Sequence, residues 1–399
     1  MVILDLMAKR PRGPTLMTDD REISVEQKHP RAEVLEEAVS PKTRTLPDAQ
    51  RGPWLEPPDV VTMLQVFGSA TEFELPVDVR RFTLGSAPDC DVSVRDPSIS
   101  KLHCLIERRG HALRITDQAS YNGTFFDGRR ETTFDIRPGN TFTVSSVRFL
   151  ALNSEMHAAY PTLADILGAE DEEDPLGNGT SPDELILIAT SGAHVLITGE
   201  HGCDQDQLAR IIHSISLRRG RELVELEAVP SDRAQQRKII DRASRSTLVI
   251  SMDAKHAVMD GAFSASLFSP SYQIRVVAIA PTTSKATSVL GAANMQTIRV
   301  VAVRPLSQRA GAIPRLLDRL LIARSSPLRV SDMTRANQAA LQAYSWPENF
   351  IDLRIAADRL AMIASTPSIR KAAENLQLHP SSLHYWLEHL SLSAPIVGG

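Results

Sequence analysis

The sequence predicts three successive modules: an all-β sandwich, an α/β domain with a helical lid, and a C-terminal helical hairpin. Three observations predict them. Between Thr62 and Asn153, short runs rich in β-branched and aromatic residues (TMLQVFG, TEFELPV, RRFTLGS, HCLIERRG, HALRITDQ) alternate with Gly, Asp, Asn and Pro. That spacing suits an antiparallel sandwich. From Leu185, strand-like HVLITG, ELVELEA, STLVISMD and QIRVVAIA interleave with helical DQLARIIHSISLRR and RAQQRKIIDRAS. Such alternation predicts a parallel sheet with crossover helices. After Pro305 the pattern is helical, in pieces at 309–324, 331–344, 349–365, 368–376 and 380–390.

The boundaries follow from composition. Residues 1–58 are rich in Pro and charge, lack periodicity and read as a disordered tail. The sandwich occupies 60–153. Residues 154–182 carry the acidic run EDEEDPLGNGTSPDE and read as a linker. The α/β core occupies 183–304, the helical lid 305–366 and the helical hairpin 367–391, with a short tail at 392–399.

Bulk properties exclude several function classes. A net charge of −4 argues against coating nucleic acid non-specifically, so any DNA contact must be local. No apolar run is long enough to cross a bilayer, and the opening MVILDLMAKRPRGP is not a signal peptide. Cys90, Cys104 and Cys203 are odd in number and form no CxxC pair, which fits a reducing cytoplasm and neither a disulfide framework nor a zinc site. The 11 His residues show no metal-ligand spacing, no nucleophile–base pair stands out, and no cofactor is implied. The chain does not read as an enzyme.

The first chemistry-bearing constellation is FTLGSAPDCDV, DPSISKLHCLI and DQASYNGTFFDG, three loops that a sandwich gathers at one end. Ser100 offers a hydroxyl and Lys101 a cation, which together suit a phosphate. Asn122 offers an amide that can hold a peptide backbone, and Gly123 and Gly128 permit tight turns. The runs Leu84-Gly85-Ser86, Ser100-Lys101-Leu102-His103 and Ser120-Tyr121-Asn122-Gly123-Thr124, followed by Asp127-Gly128, resemble the forkhead-associated (FHA) family over about 90 residues. The resemblance implies binding of phosphothreonine peptides. Ser100 would contact the phosphate, Lys101 and Tyr121 would flank the peptide, and Asn122 would grip its main chain. Gly85, His103, Gly123 and Thr124 would hold the loops together. The family arginine after the first glycine is Ser86 here. Losing its charge-assisted bond costs about ten- to a hundred-fold in affinity unless Lys101 or Arg95 compensates. A folded domain that binds protein without phosphate is the alternative. Some FHA domains favour an acidic residue three positions after the phosphothreonine, a spacing found at Thr45 with Asp48 and at Thr162 with Asp165.

The second constellation is HVLITGEHGCDQDQLARIIHSIS. A phosphate-binding loop needs bare backbone N–H groups and a lysine, as in G-x-x-x-x-G-K. Gly199 and Gly202 are present, but Asp204 stands at the second motif glycine and Gln205 at the lysine. This stretch, RPLSQRAGAIPRLLDRLL, and the segment around Trp346, Pro347 and Asn349 together resemble the AAA+ domain of sigma-54-dependent activators over about 170 residues. The departures point one way. Ser251 and Met252 occupy the Asp-Glu positions that hold magnesium and activate water, with Asp253 one residue beyond, and Ile351 replaces the lid arginine. The segment has no room for the family's sigma-contact loop; GAFSAS at 261–266 lies after the strand and reads as a helix–loop element. The expectation is a retained scaffold without ATPase activity.

The third constellation, SIRKAAENLQLHPSSLHYWLEHL, reads as helix, turn, helix and resembles the helix-turn-helix of the same activators. Arg370 and Lys371 would touch the DNA backbone, and Ser381, Ser382, His384 and Tyr385 would face the bases. The second helix lacks Arg and Lys, so contacts would be thin. Two readings stand. One is a phosphothreonine-sensing, sigma-54-activator-like transcription regulator without ATPase activity. The other is a phosphopeptide-dependent adaptor acting through protein contacts, without DNA. The implied partner is a threonine-phosphorylated protein, with DNA, sigma-54 activators or a second copy as further candidates, and no membrane.

Overall fold

A computed structural model describes residues 59–169, 179–227, 229–230, 232–252, 259–393 and 396. The tail 1–58 with Thr45, the acidic stretch 170–178, Asp253 and most of the C-terminal tail lie outside the described residues. The chain is β-rich first, then α/β with a parallel sheet, then helical. Its contacts group into two compact units. One holds Phe73–Ile136 and Thr141–Phe149; the other holds Asp59–Glu72, Arg137–Asn140 and the chain from Leu150 onward.

The β-rich region contains β1 (Met63–Val66), β2 (Glu72–Glu74), β3 (Arg81–Gly85), β4 (Val92–Ser93), β5 (Cys104–Arg109) and β6 (Ala112–Asp117). It continues with β7 (Thr124–Phe126), β8 (Arg129–Arg130), β9 (Thr133–Ile136), β10 (Thr141–Val144) and β11 (Val147–Leu152). Two sheets form, in the orders β4-β3-β5-β6-β9 and β2-β1-β11-β10-β7-β8. The short β3–β4 pair is parallel, whereas β3–β5, β5–β6, β6–β9, β7–β8 and β7–β10 are antiparallel. Alternate residues of β6 and β10 are buried, as expected where one face of a strand meets a core. The rings of Phe126, Phe134, Phe142 and Phe149 follow one another at centroid distances of 4.9, 6.0 and 5.3 Å.

The second region opens with α1 (Ser154–Leu167) and α2 (Pro182–Ser191). The expected linker 154–182 is therefore helical over its first half. The sequence hides α1 because Pro161 interrupts its interior, yet Asn153 caps its first turn and Gly168 ends it in the left-handed region. Its apolar face, Met156, Leu163, Ile166 and Leu167, joins the core. Asp165 accepts from both Arg315 and Arg319, at 2.6 and 2.5 Å.

Then follow β12 (His194–Thr198), α3 (Gln205–Ser214), β13 (Leu223–Leu226), α4 (Arg233–Ala243), β14 (Thr247–Ser251) and α5 (Gly261–Leu267). After these come β15 (Arg275–Ala280), α6 (Thr283–Leu290), α7 (Ala292–Met295) and β16 (Ile298–Ala302). The five strands form a parallel sheet ordered β13-β14-β15-β12-β16. Covered on both faces, the central strands are apolar almost throughout, and β15 is buried along its whole length. Its first residue is the exception. Arg275 is fully buried and donates to the carbonyls of Ile188, Ala189 and Ala193, satisfying groups left open at the end of α2. Burial lowers its pKa to about 10. GAFSAS falls in α5, with Phe263 buried in the core under the sheet.

The last region comprises α8 (Ile313–Ala323), α9 (Arg335–Ala343), α10 (Phe350–Ala364), α11 (Ile369–Asn375) and α12 (Pro380–His389). The first helix starts later than its sequence pattern suggests, because 3-10 turns occupy Leu306–Gln308 and Ala310–Ala312 and Pro314 then sets the first α-turn. Trp346 is fully buried at the centre of this core, its indole N–H donating to Leu341 O at 3.1 Å. No described helix is long and apolar enough to cross a membrane.

Candidate functional site

The three β-region loops meet through their backbones. Ser86 N–H donates to Ser100 O at 3.0 Å and Ala87 N–H to Lys101 O at 3.1 Å. Gly85 makes this approach possible, since a side-chain carbon there would lie 2.0 Å from Lys101 O. Ser86, at the position of the missing arginine, turns its hydroxyl inward to Ile99 O at 2.8 Å.

His103 is the hub beneath. Its Nδ1 accepts from Ser100 N–H at 3.2 Å, which leaves Nε2–H to donate to Gly123 O, also at 3.2 Å. Burial lowers its pKa; the Gly123 carbonyl and Asp117 oppose this without reversing it. Asp117 organises the third loop. It accepts from Ser120 N–H (2.9 Å), the Ser120 hydroxyl (2.6 Å) and the Thr124 hydroxyl (2.7 Å). Burial alone would raise its pKa, but these donors bring it below the ordinary value.

Above this buried frame the candidate ligand-binding groups are brought together. Ser100 Oγ accepts from Tyr121 N–H at 3.2 Å, and Asn122 Nδ2 donates to Ser98 O at 2.7 Å. Lys101 and Asn122 are exposed, and Tyr121 is 90% exposed. The surface thus presents a hydroxyl, an ammonium, an amide and an aromatic ring, on loops cross-linked by hydrogen bonds. That set can bind a phosphorylated side chain and its flanking main chain.

The glycine-bearing loop lies between β12 and α3. Gly199 and Gly202 are closely covered: a side-chain carbon would fall 2.9 Å from Val303 O and 2.2 Å from Glu348 O, respectively. Gln205, where a lysine would reach phosphate, is buried and folds back to Glu200 O at 2.6 Å. Asp204 adopts φ +61°, the left-handed region that glycine tolerates best, and ion-pairs with Arg354 of α10. Burial raises its pKa, and Arg354 only partly offsets that. Ile351 lies near Gly202, within 3.5 Å of where a side chain there would begin. Ser251 ends β14 half-buried, and Met252 is buried with its N–H on Ile279 O at 2.8 Å. Among Gly199, Gly202, Gln205, Ser251, Met252 and Ile351 there is no cation and no carboxylate.

The helical hairpin packs Ala372, Ala373 and Leu383 into a small core. Gln377 takes φ +56° in the turn. Arg370 and Lys371 are exposed but share one acceptor, Glu374, at 3.6 and 3.2 Å. Ser381, Ser382, His384 and Tyr385 are all exposed on α12. Two of them also bond within the hairpin, Ser381 Oγ to His379 Nδ1 (2.6 Å) and His384 Nδ1 to Pro380 O (2.9 Å). Among the described residues no group of three or more His, Cys, Asp or Glu is arranged to hold a metal ion.

Residues 82–145 match the FHA domain family. Among solved structures, the FHA domain of the CT664 protein from Chlamydia trachomatis is 26% identical over 23% of this chain and 95% of its own, with a TM-score of 0.22. EmbR of Mycobacterium tuberculosis, solved with a low-affinity phosphopeptide, is 19% identical over 24% of this chain and 26% of its own, with a TM-score of 0.22. NtrX from Brucella abortus, solved with ATP, is 17% identical over 51% of this chain, with a TM-score of 0.36; the chain spans 65% of that protein's length. No curated protein matches the chain.

Two side chains of the FHA domain escape the loop motifs. Asp117 closes the preceding strand, and its three donors become visible only once the loop is folded. Arg130 lies beyond the Asp127-Gly128 turn. Its guanidinium rests against Gly123, where a side-chain carbon would come within 2.3 Å of Nε, and its Nη2 donates to Ser120 O at 3.4 Å. The only signal in the sequence was the glycine of the Asn122-Gly123 pair, a residue type that permits both the φ of +82° found there and the close approach of Arg130. Arg354 was likewise missed, because its partner Asp204 lies 150 positions away in the sequence.

Proposed function

We propose that this chain is a phosphothreonine-sensing signalling regulator, with an FHA domain as reader and an α/β module that does not hydrolyse nucleotide. One observation carries the first half: within the matched FHA stretch, Ser100 Oγ, Lys101, Tyr121 and Asn122 converge on a rigid frame built on His103 and Asp117. The partner is a threonine-phosphorylated protein. Support for the second half is chemical. Phosphoryl transfer needs a cation on the phosphates and a carboxylate for magnesium or water, and Gln205, Ser251, Met252 and Ile351 supply neither. No enzymatic activity and no cofactor are proposed. The buried, unpaired Cys90, Cys104 and Cys203 suit a reducing compartment, and the cytoplasm is the proposed location.

The finer reading is a transcription regulator similar to sigma-54 activators, with α11 and α12 on DNA through Arg370, Lys371, Ser381, Ser382, His384 and Tyr385. One observation favours the adaptor reading instead: α12 carries no Arg or Lys, and the two cations of α11 already face Glu374. Contact with sigma-54 activators or with a second copy then takes the place of DNA.

The deciding experiment titrates the full chain with matched phosphothreonine and threonine peptide libraries. Selective binding of modified peptides is expected; indistinguishable curves would overturn the reader assignment. ATP turnover should equal that of a mock preparation, and turnover abolished by Gln205→Ala would overturn the inactive assignment.

A further inference from the structure

The glycine-bearing loop has lost its nucleotide chemistry but is not idle. Four contacts tie it to the N-terminus of α10, which begins the final part of the lid. Asp204 pairs with Arg354. Phe350 N–H donates to Gly202 O at 3.0 Å. Asn349 Nδ2 donates to His201 O at 2.8 Å, and His201 Nδ1 meets Glu348 Oε2 at 2.8 Å.

These contacts have the character of a built joint. A helix N-terminus leaves its first N–H groups without partners inside the helix. Asn349, the residue before α10, makes no capping bond to it, because its side chain reaches His201 O and accepts from Leu306 N–H at 2.8 Å. The loop carbonyl of Gly202 satisfies Phe350 instead. Asn349 is held at φ +49°, ψ −125°, a conformation costly for any residue but glycine, and Asp204, in the loop, sits at φ +61°. Two strained residues, one on each side, persist because the joint holds both.

We propose that Gly199–Gln205 serves as a latch for the helical lid, with Asp204 supplying from within the chain the anion that Arg354 grips. Ile351 occupies the activators' arginine position, and Arg354, three residues on, lies on the same face of α10. The carboxylate that spoils the loop for phosphate and the displaced arginine are thus two halves of one contact. The lid stays seated with no nucleotide bound. This deepens the reading of the module as inactive and does not require it, because the latch and nucleotide binding are measured separately.

The amide of Phe350 reports the joint directly, and that of Leu306 reports the Asn349 side chain. Hydrogen exchange at both is followed in the full chain, in Asp204→Asn, in Arg354→Gln and in the double variant. Loss of one charge-assisted bond is expected to speed exchange at Phe350 by roughly five- to tenfold in either single variant, with little further change in the double variant. Unchanged exchange in the single variants, or effects that simply multiply in the double variant, would overturn the latch. Arg354→Asp combined with Asp204→Arg tests the pairing from the other side, and recovery of protection supports it. Adding ATP with magnesium should leave wild-type exchange unaltered. Protection on that addition would overturn the expectation that the loop no longer engages nucleotide, while turnover tests hydrolysis and the variants alone decide the latch.

Discussion

At the scale of single residues, the proposed phosphate site rests on Ser100. Its hydroxyl is positioned by Tyr121 N–H and faces a surface whose other donors are Lys101 and Asn122. Removing a hydrogen bond to a charged group costs about 1.5–3 kcal/mol, so Ser100→Ala should weaken phosphopeptide binding about ten- to a hundred-fold. Ser86→Arg should tighten it, because the serine hydroxyl now serves only Ile99 O. Isothermal titration with one phosphopeptide measures both. His103 gives a second, opposite kind of test. Its folded-state pKa lies below the ordinary value of 6.5 because burial disfavours the imidazolium. The unfolded chain therefore binds the proton more readily. Stability from the neutral ring is present above about pH 6.5 and is lost as pH falls through that value. Asp117 and Arg130 are the charged groups that act on this ring. The melting temperature of the wild type should drop between pH 7 and 5.5 by more than that of His103→Gln, and equal drops would contradict the assignment.

At the scale of elements, α11 and α12 decide between the two regulatory readings. DNA affinity falls with salt in proportion to the phosphates neutralised, with a slope of about −0.9 per contact. Only Arg370 and Lys371 supply cations in this hairpin, and Glu374 engages both. If DNA binds there, the slope of log affinity against log salt should be about −2 or shallower, and Glu374→Ala should strengthen binding. Footprinting on promoter DNA at low salt checks both, and a complete lack of protection favours the adaptor. The helix α1 bears on another sequence expectation. Thr162 lies within it, and Asp165, its partner in the acidic-spacing motif, already holds Arg315 and Arg319. Presenting Thr162 to a reader as an extended phosphopeptide would require unwinding that helix.

At the scale of the whole molecule, the two sites differ in what they have kept. One presents donors suited to a phosphoryl group; the other is filled by internal contacts of Asp204, Gln205 and Gly202. The substitutions Asp204→Gly and Gln205→Lys supply the groups that cradle phosphates, but Ser251 and Met252 offer magnesium no carboxylate. Nucleotide binding without turnover is therefore the expected outcome, read by fluorescence titration and by phosphate release.

Much of this architecture is legible in residue order alone. Alternation and turn residues mark the sandwich, strand–helix alternation marks the parallel sheet, and Ser100, Asn122 and Gly123 announce their loops, because each signal is local. The glycines at 199 and 202, with Gln205 between loop and helix, are enough to expect a weakened phosphate loop. What only the tertiary structure decided are contacts between residues far apart in sequence. Asp117 is a hub only when Ser120 and Thr124 fold over it, and α1 is a helix because its apolar face finds the core despite Pro161. Asp204 meets Arg354 150 positions along the chain. Periodicity reports which face of an element is apolar; it carries no information about which distant charge or carbonyl that element will meet.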